Sequence, residues 1–101
     1  MAGAKLAGCV LADATLTGDY SDADLSGADL SGATLANLDL SGARMAGANL
    51  DSTTISDTSF DNAQLTGVSV DGATITRSSF VGSTANANTL RGATVSDCTF
   101  G

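Results

Sequence analysis

Residues 23–42 read Ala-Asp-Leu-Ser-Gly, Ala-Asp-Leu-Ser-Gly, Ala-Thr-Leu-Ala-Asn and Leu-Asp-Leu-Ser-Gly. Leu25, Leu30, Leu35 and Leu40 fall five residues apart, and the beat continues in both directions. Backward it reaches Tyr20, loses one residue, and resumes at Leu16, Leu11, Leu6 and Met1. Forward it runs through Met45, Leu50, Ile55, Phe60, Leu65, Val70, Ile75, Phe80, Ala85, Leu90, Val95 and Phe100. All 21 beats are apolar or aromatic in a chain that is 43% hydrophobic.

A helix turns about 100° per residue, so a row with period five would drift about 140° per step and bury no single face. A flat strand fails as well, because an odd period flips the apolar residue to the opposite face each time. The beat works only if one residue in five turns a corner. With the beat residue as the centre, the residue two before it also points inward and its two neighbours point outward. The residue two after the centre is the bend.

Residue types follow these roles. The inward position is mostly small, as at Ala23, Ala28, Ala33, Ala43, Ala48, Ala63 and Ala73, with Cys9 and Cys98 in the same class. Ten of the 12 glycines fall on the bend, and Asp or Asn takes most of the others. These types tolerate left-handed backbone best. Proline is absent, as a continuous ladder of backbone donors requires. Departures fall at Leu38, Val68, Thr53, Thr58, Ser78, Ser83 and Asn88, all at the inward position.

The units Ala23-Asp24-Leu25-Ser26-Gly27, Ala28-Asp29-Leu30-Ser31-Gly32 and Ala48-Asn49-Leu50-Asp51-Ser52 resemble those of the pentapeptide-repeat family across essentially the whole chain. The resemblance implies an all-β fold, a right-handed quadrilateral β-helix (β-solenoid) of about five coils with four pentapeptides each. One domain, 1–101, is expected, with a one-residue phase break between Leu16 and Tyr20. Each side then stacks like residues, for example Leu16, Leu35, Ile55, Ile75 and Val95 on the fourth.

Composition narrows the chemistry. Histidine is absent, which removes the commonest general base and metal ligand. No nucleophile is paired with a base, so the expectation is a non-enzymatic protein without catalytic residues, metal or cofactor. Leu6-Ala7-Gly8-Cys9 matches a lipobox, but Met1 to Lys5 supplies no apolar stretch before it. Cys9 and Cys98 lie several coils apart in this fold, which precludes a disulfide between them. Two unpaired thiols and no signal peptide point to the cytoplasm. The net charge of −7 disfavours nucleic acid and anionic membrane and leaves a basic protein as a possible partner.

Three functional expectations follow. A bare coil is a sheet edge over an exposed core. Met1 and Leu6 at one end, and Leu90, Val95 and Phe100 at the other, would stack copies into a dimer or filament. Secondly, some members of the resembled family linked to quinolone resistance are acidic DNA mimics that bind DNA gyrase, a topoisomerase. Asp19, Asp24, Asp29, Asp39, Asp51, Asp61 and Asp71 would form such a surface here. Thirdly, the fourth side carries Thr15 and Thr17, then Thr34, Thr54 and Ser56, Thr74 and Thr76, and Thr94 and Ser96. This side is similar to the ice-binding side of insect β-solenoid antifreeze proteins, and it could equally be a lateral contact surface.

Overall fold

The computed structural model describes residues 2–85 and 89–100. Met1 and Asn88, named above, lie outside the described residues. The chain winds as a β-solenoid in which successive coils pair in parallel. The named strands are β1 (Thr15–Asp19), β2 (Thr34–Asp39), β3 (Thr54–Ser56), β4 (Thr74–Thr76), β5 (Ser79–Phe80), β6 (Thr94–Ser96) and β7 (Thr99–Phe100). The fourth side is a five-stranded sheet in the order β1-β2-β3-β4-β6, so four full turns separate its first and last rungs. On the first side, whose described centres are Tyr20, Leu40, Phe60, Phe80 and Phe100, β5 pairs with β7. On the second side (centres Leu6, Leu25, Met45, Leu65 and Ala85) and the third (Leu11, Leu30, Leu50, Val70 and Leu90) successive coils pair through single bridges, such as Asp24↔Arg44 and Asp29↔Asn49.

The ladder explains why the repeat tolerates no proline. Leu25 N–H donates to the Arg44 carbonyl at 2.6 Å, and Arg44 N–H donates back to the Ala23 carbonyl at 2.9 Å. Three corners are closed by a second bond, from the inward N–H to the preceding centre's carbonyl. Ala23 to Tyr20 (3.1 Å), Ala28 to Leu25 (3.0 Å) and Ala33 to Leu30 (3.0 Å) show the pattern. Every described bend has positive φ, from Gly3 at 68° to Asp97 at 55°. Non-glycine residues hold eight of these positions, among them Asp13, Asp22, Ser52 and Arg77.

The centres and the small inward residues fill the column. Leu25, Leu30, Leu35, Leu40 and Met45 are fully buried, together with Ala23, Ala28, Ala33 and Ala43. Each large side chain withdrawn from water contributes roughly 1.5–3 kcal/mol. A cavity of about 10 Å³ near Phe60, Leu65 and Phe80 is lined by apolar side chains. It is at the lower limit for one water, so the interior offers no ligand space there. Among the described residues, no buried side-chain nitrogen or oxygen lacks a hydrogen-bond partner.

The missing residue has a definite place. Thr15 and Leu16 pair with Thr34 and Leu35, whereas Gly18 and Asp19 pair with Leu38 and Asp39. The offset changes from 19 to 20 across Thr17, which faces two residues of the next coil. This is a β-bulge, and Gly18 (φ 101°) serves there as both bend and inward residue.

Candidate functional site

The four sides differ in outer chemistry. On the first side Asp19, Asp39 and Asp61 face outward, and on the third Asp29, Asp51 and Asp71 do. These are opposite sides of the column. Asp24 stands on the second side between Lys5 and Arg44, its ladder neighbours. The predicted acidic residues therefore divide among three sides.

Most of these carboxylates also hold the fold. Asp19, Asp24 and Asp29 accept the amides of Ser21, Ser26 and Ser31 at 2.9, 3.1 and 3.0 Å. Asp39 does the same for Ser41 at 2.9 Å. The short side chain thus closes a local turn over the centre residue. The hydroxyls and then the amides of Ser21, Ser26 and Ser31 hold the carboxyls of Asp19, Asp24 and Asp29 below the usual carboxylate range. In later coils the carboxylates reach upward. Asp51 accepts the Ser69 hydroxyl and the Asp71 amide, and Asp61 accepts the Ser79 hydroxyl and the Val81 amide. The repeated Asp-Leu-Ser triplet was the available signal for the local turns, and the sequence reading missed it.

The fourth side is uncharged at its outer positions. Thr34, Thr54, Thr74 and Thr94 are all exposed and follow one another in register. Thr15 precedes them in the same row. Beside it, Thr17 leads a row of Ala36, Ser56, Thr76 and Ser96, of which Ser96 and Thr17 are exposed and the others half-buried.

The corner between the fourth and first sides is built differently. Its inward residues are Gly18, Leu38, Thr58, Ser78 and Cys98, with no alanine. No bond from the inward N–H to the preceding centre closes this corner at Thr58, Ser78 or Cys98. Instead Thr58 Oγ1 donates to the Ser56 carbonyl at 2.9 Å, and Ser78 Oγ donates to Thr76 at 2.9 Å. Cys98 Sγ lies 3.2 Å from the Ser96 carbonyl. Three of the sequence departures, Leu38, Thr58 and Ser78, thus fall in one column along this corner. On its outside Arg77 Nε meets Asp57 Oδ1 at 3.0 Å. The hydrogen bond and charge of Asp57, then the charge of Asp97, raise the Arg77 pKa. This exposed ion pair was not foreseen from the sequence.

Of the residues expected to join coils, Leu6, Leu90 and Val95 are half-buried and Phe100 is 50% exposed. Met1 lies outside the described residues. The Phe60, Phe80 and Phe100 rings stack with centroids 4.9 and 5.1 Å apart and planes within 1° and 6°.

The sequence profile for pentapeptide repeats matches residues 21–57 and 43–82, together more than half the chain, with eight copies. The chain belongs to the pentapeptide-repeat family. None of the curated proteins compared with this pentapeptide-repeat chain matches it. Among solved structures, the pentapeptide-repeat protein Rfr23 from the cyanobacterium Cyanothece 51142 aligns with a TM-score of 0.73 and 22% identity. That alignment covers 91% of this chain and 60% of Rfr23. HetL, involved in heterocyst differentiation regulation in the cyanobacterium Nostoc, aligns with a TM-score of 0.52 and 25% identity, over 95% of this chain and 46% of HetL. A thylakoid-lumen pentapeptide-repeat protein of Arabidopsis thaliana gives 0.48 and 21%, over 96% and 61%. This chain therefore spans between 46% and 61% of the length of these three proteins. Among the described residues, no helix is long and apolar enough to cross a membrane.

Proposed function

We propose that this pentapeptide-repeat chain is a non-enzymatic structural scaffold that associates end to end by laying one coil on another. One observation supports the reading above the rest. The phenylalanine ladder rises coil by coil and leaves half of Phe100 uncovered on its outermost rung. Around it, β6 and β7 each pair on one side only among the described residues. A further coil laid there would extend the ladder hydrogen bonds and cover Phe100, Leu90 and Val95. A longer natural chain would meet the same need from its own continuation. For the chain of 101 residues, the occupant is the Leu6-bearing coil of a second copy.

The DNA-mimic reading is served less well. Such a mimic needs a continuous negative strip. Here the outer carboxylates are split between opposite sides, and along the ladder Asp19 and Asp39 are followed by Ser59 and Ser79, and Asp29 by Asn49 and Ser69. The test is sedimentation velocity over a wide concentration range, with Phe100→Asp alongside the parent. The parent's mass should rise with concentration and the variant's should fall toward one chain. A parent that stays monomeric at the highest concentration would end the proposal.

A further inference from the structure

We infer that two copies of this chain also pair side by side, fourth side to fourth side. The argument starts from charge. Each copy carries −7, so copies repel unless they meet where the charge is not. The first side presents Asp19, Asp39 and Asp61, the third Asp29, Asp51 and Asp71, and the second Lys5, Asp24 and Arg44. Among the described residues, the positions flanking Leu16, Leu35, Ile55, Ile75 and Val95 on the fourth side carry no charge, and the nearest charges, Asp57, Arg77 and Asp97, stand at its corner with the first side. The fourth side's surface of threonine methyls and hydroxyls is flat, because Thr34, Thr54 and Thr74 lie in straight register. Two such faces pack as sheets do, about 10 Å apart, with mean strand directions near parallel.

Size sets the strength. The longest dimensions of the molecule are 28 and 23 Å, so one side covers at most about 650 Å². That is below the roughly 800 Å² per partner of a standard stable interface, so the pair is weak and concentration-dependent. It forms more readily as salt rises, because screening weakens the repulsion between like-charged copies. The contact does not use Phe100, so it is separable from end-on stacking.

The experiment uses the full chain carrying Phe100→Asp, which removes the end contact. Sedimentation equilibrium in low and high salt should show a monomer–dimer equilibrium that tightens with salt. Thr34→Arg with Thr74→Arg then separates two explanations. These changes lower the net charge and would promote any association limited by general repulsion. They place cations on the contact face and should abolish the pair. A dimer that survives or strengthens overturns the inference, and so does a monomer under all conditions. Circular dichroism matching the parent checks the fold.

Discussion

Truncating Phe80 to alanine should cost far more than truncating Phe100, although the two residues occupy equivalent repeat positions. Phe80 is 3% exposed and has a ring stacked on each face, at 4.9 and 5.1 Å. Removing a buried phenylalanine costs about 3–5 kcal/mol through lost transfer energy and the cavity left behind. Each stacked ring pair adds roughly 0.5–1.5 kcal/mol. Phe80→Ala should therefore cost about 5 kcal/mol. Phe100 is half exposed and has one ring neighbour, so its truncation should cost about 2 kcal/mol by the same reasoning. Urea unfolding followed by circular dichroism measures both. With a slope of about 1–3 kcal/mol per molar urea, the Phe80→Ala midpoint should fall by roughly 2–5 M and the other by about 1 M. The measurement belongs at low protein concentration, where copies are separate. Equal losses at the two sites would refute the stacked-column account of this core. A domain of this size holds about 5–15 kcal/mol in all, so Phe80→Ala sits near the edge of folding. Phe80→Leu then provides the graded comparison.

Two further outcomes are expected. Gly27 and Gly42 share a left-handed backbone (φ 66° and 70°), but a Cβ at Gly27 meets nothing while one at Gly42 falls 2.2 Å from Asp22 Oδ1. Alanine should cost about 1–2 kcal/mol at Gly27 and about the same at Gly42, where the Asp22 carboxylate is the free end of its side chain and swings aside; a far larger cost at Gly42 in thermal melts, relieved by Asp22→Ala, would show that Asp22 is held in place. Asp19, Asp24 and Asp29 have depressed folded-state pKa values, so they stabilise the fold above the unfolded carboxyl pKa and cease to do so as pH falls from about 4. Replacing all three with asparagine keeps the acceptor, as Asn49 already does for the Asp51 amide at 2.9 Å, and should flatten the loss of stability in acid; superimposable acid titrations of parent and variant would count against it.

The winding of this chain was legible because its rule is local. A centre, a small inward residue and a left-handed bend each leave a mark at fixed spacing, and Leu25, Ala28 and Gly27 suffice to show it. The phase break was legible too, as a shortfall between Leu16 and Tyr20. What could not be read was contact between coils twenty residues apart. Arg77 on Asp57, and Asp51 on Ser69, depend on which side each coil presents to the next. The polar inward column failed for another reason. Thr58 and Ser78 looked like separate lapses from a small-residue rule, whereas both hydroxyls donate to a carbonyl of the same corner. Surface roles were the least legible. Aspartates that look available for a partner are largely engaged with their own backbone.

The open corner has a consequence for how such arrays change length. In the coils from Tyr20 to Ala73, three turns are each clasped by their own hydrogen bond, and a residue added or removed there would break the clasp. The fourth is unclasped, and it is where the first coil runs one residue short, at Gly18, without disturbing the coils above. It acts as a seam along the column. Insertions and deletions in this lineage should gather along that seam, and a designer grafting a loop onto the spiral would place it there.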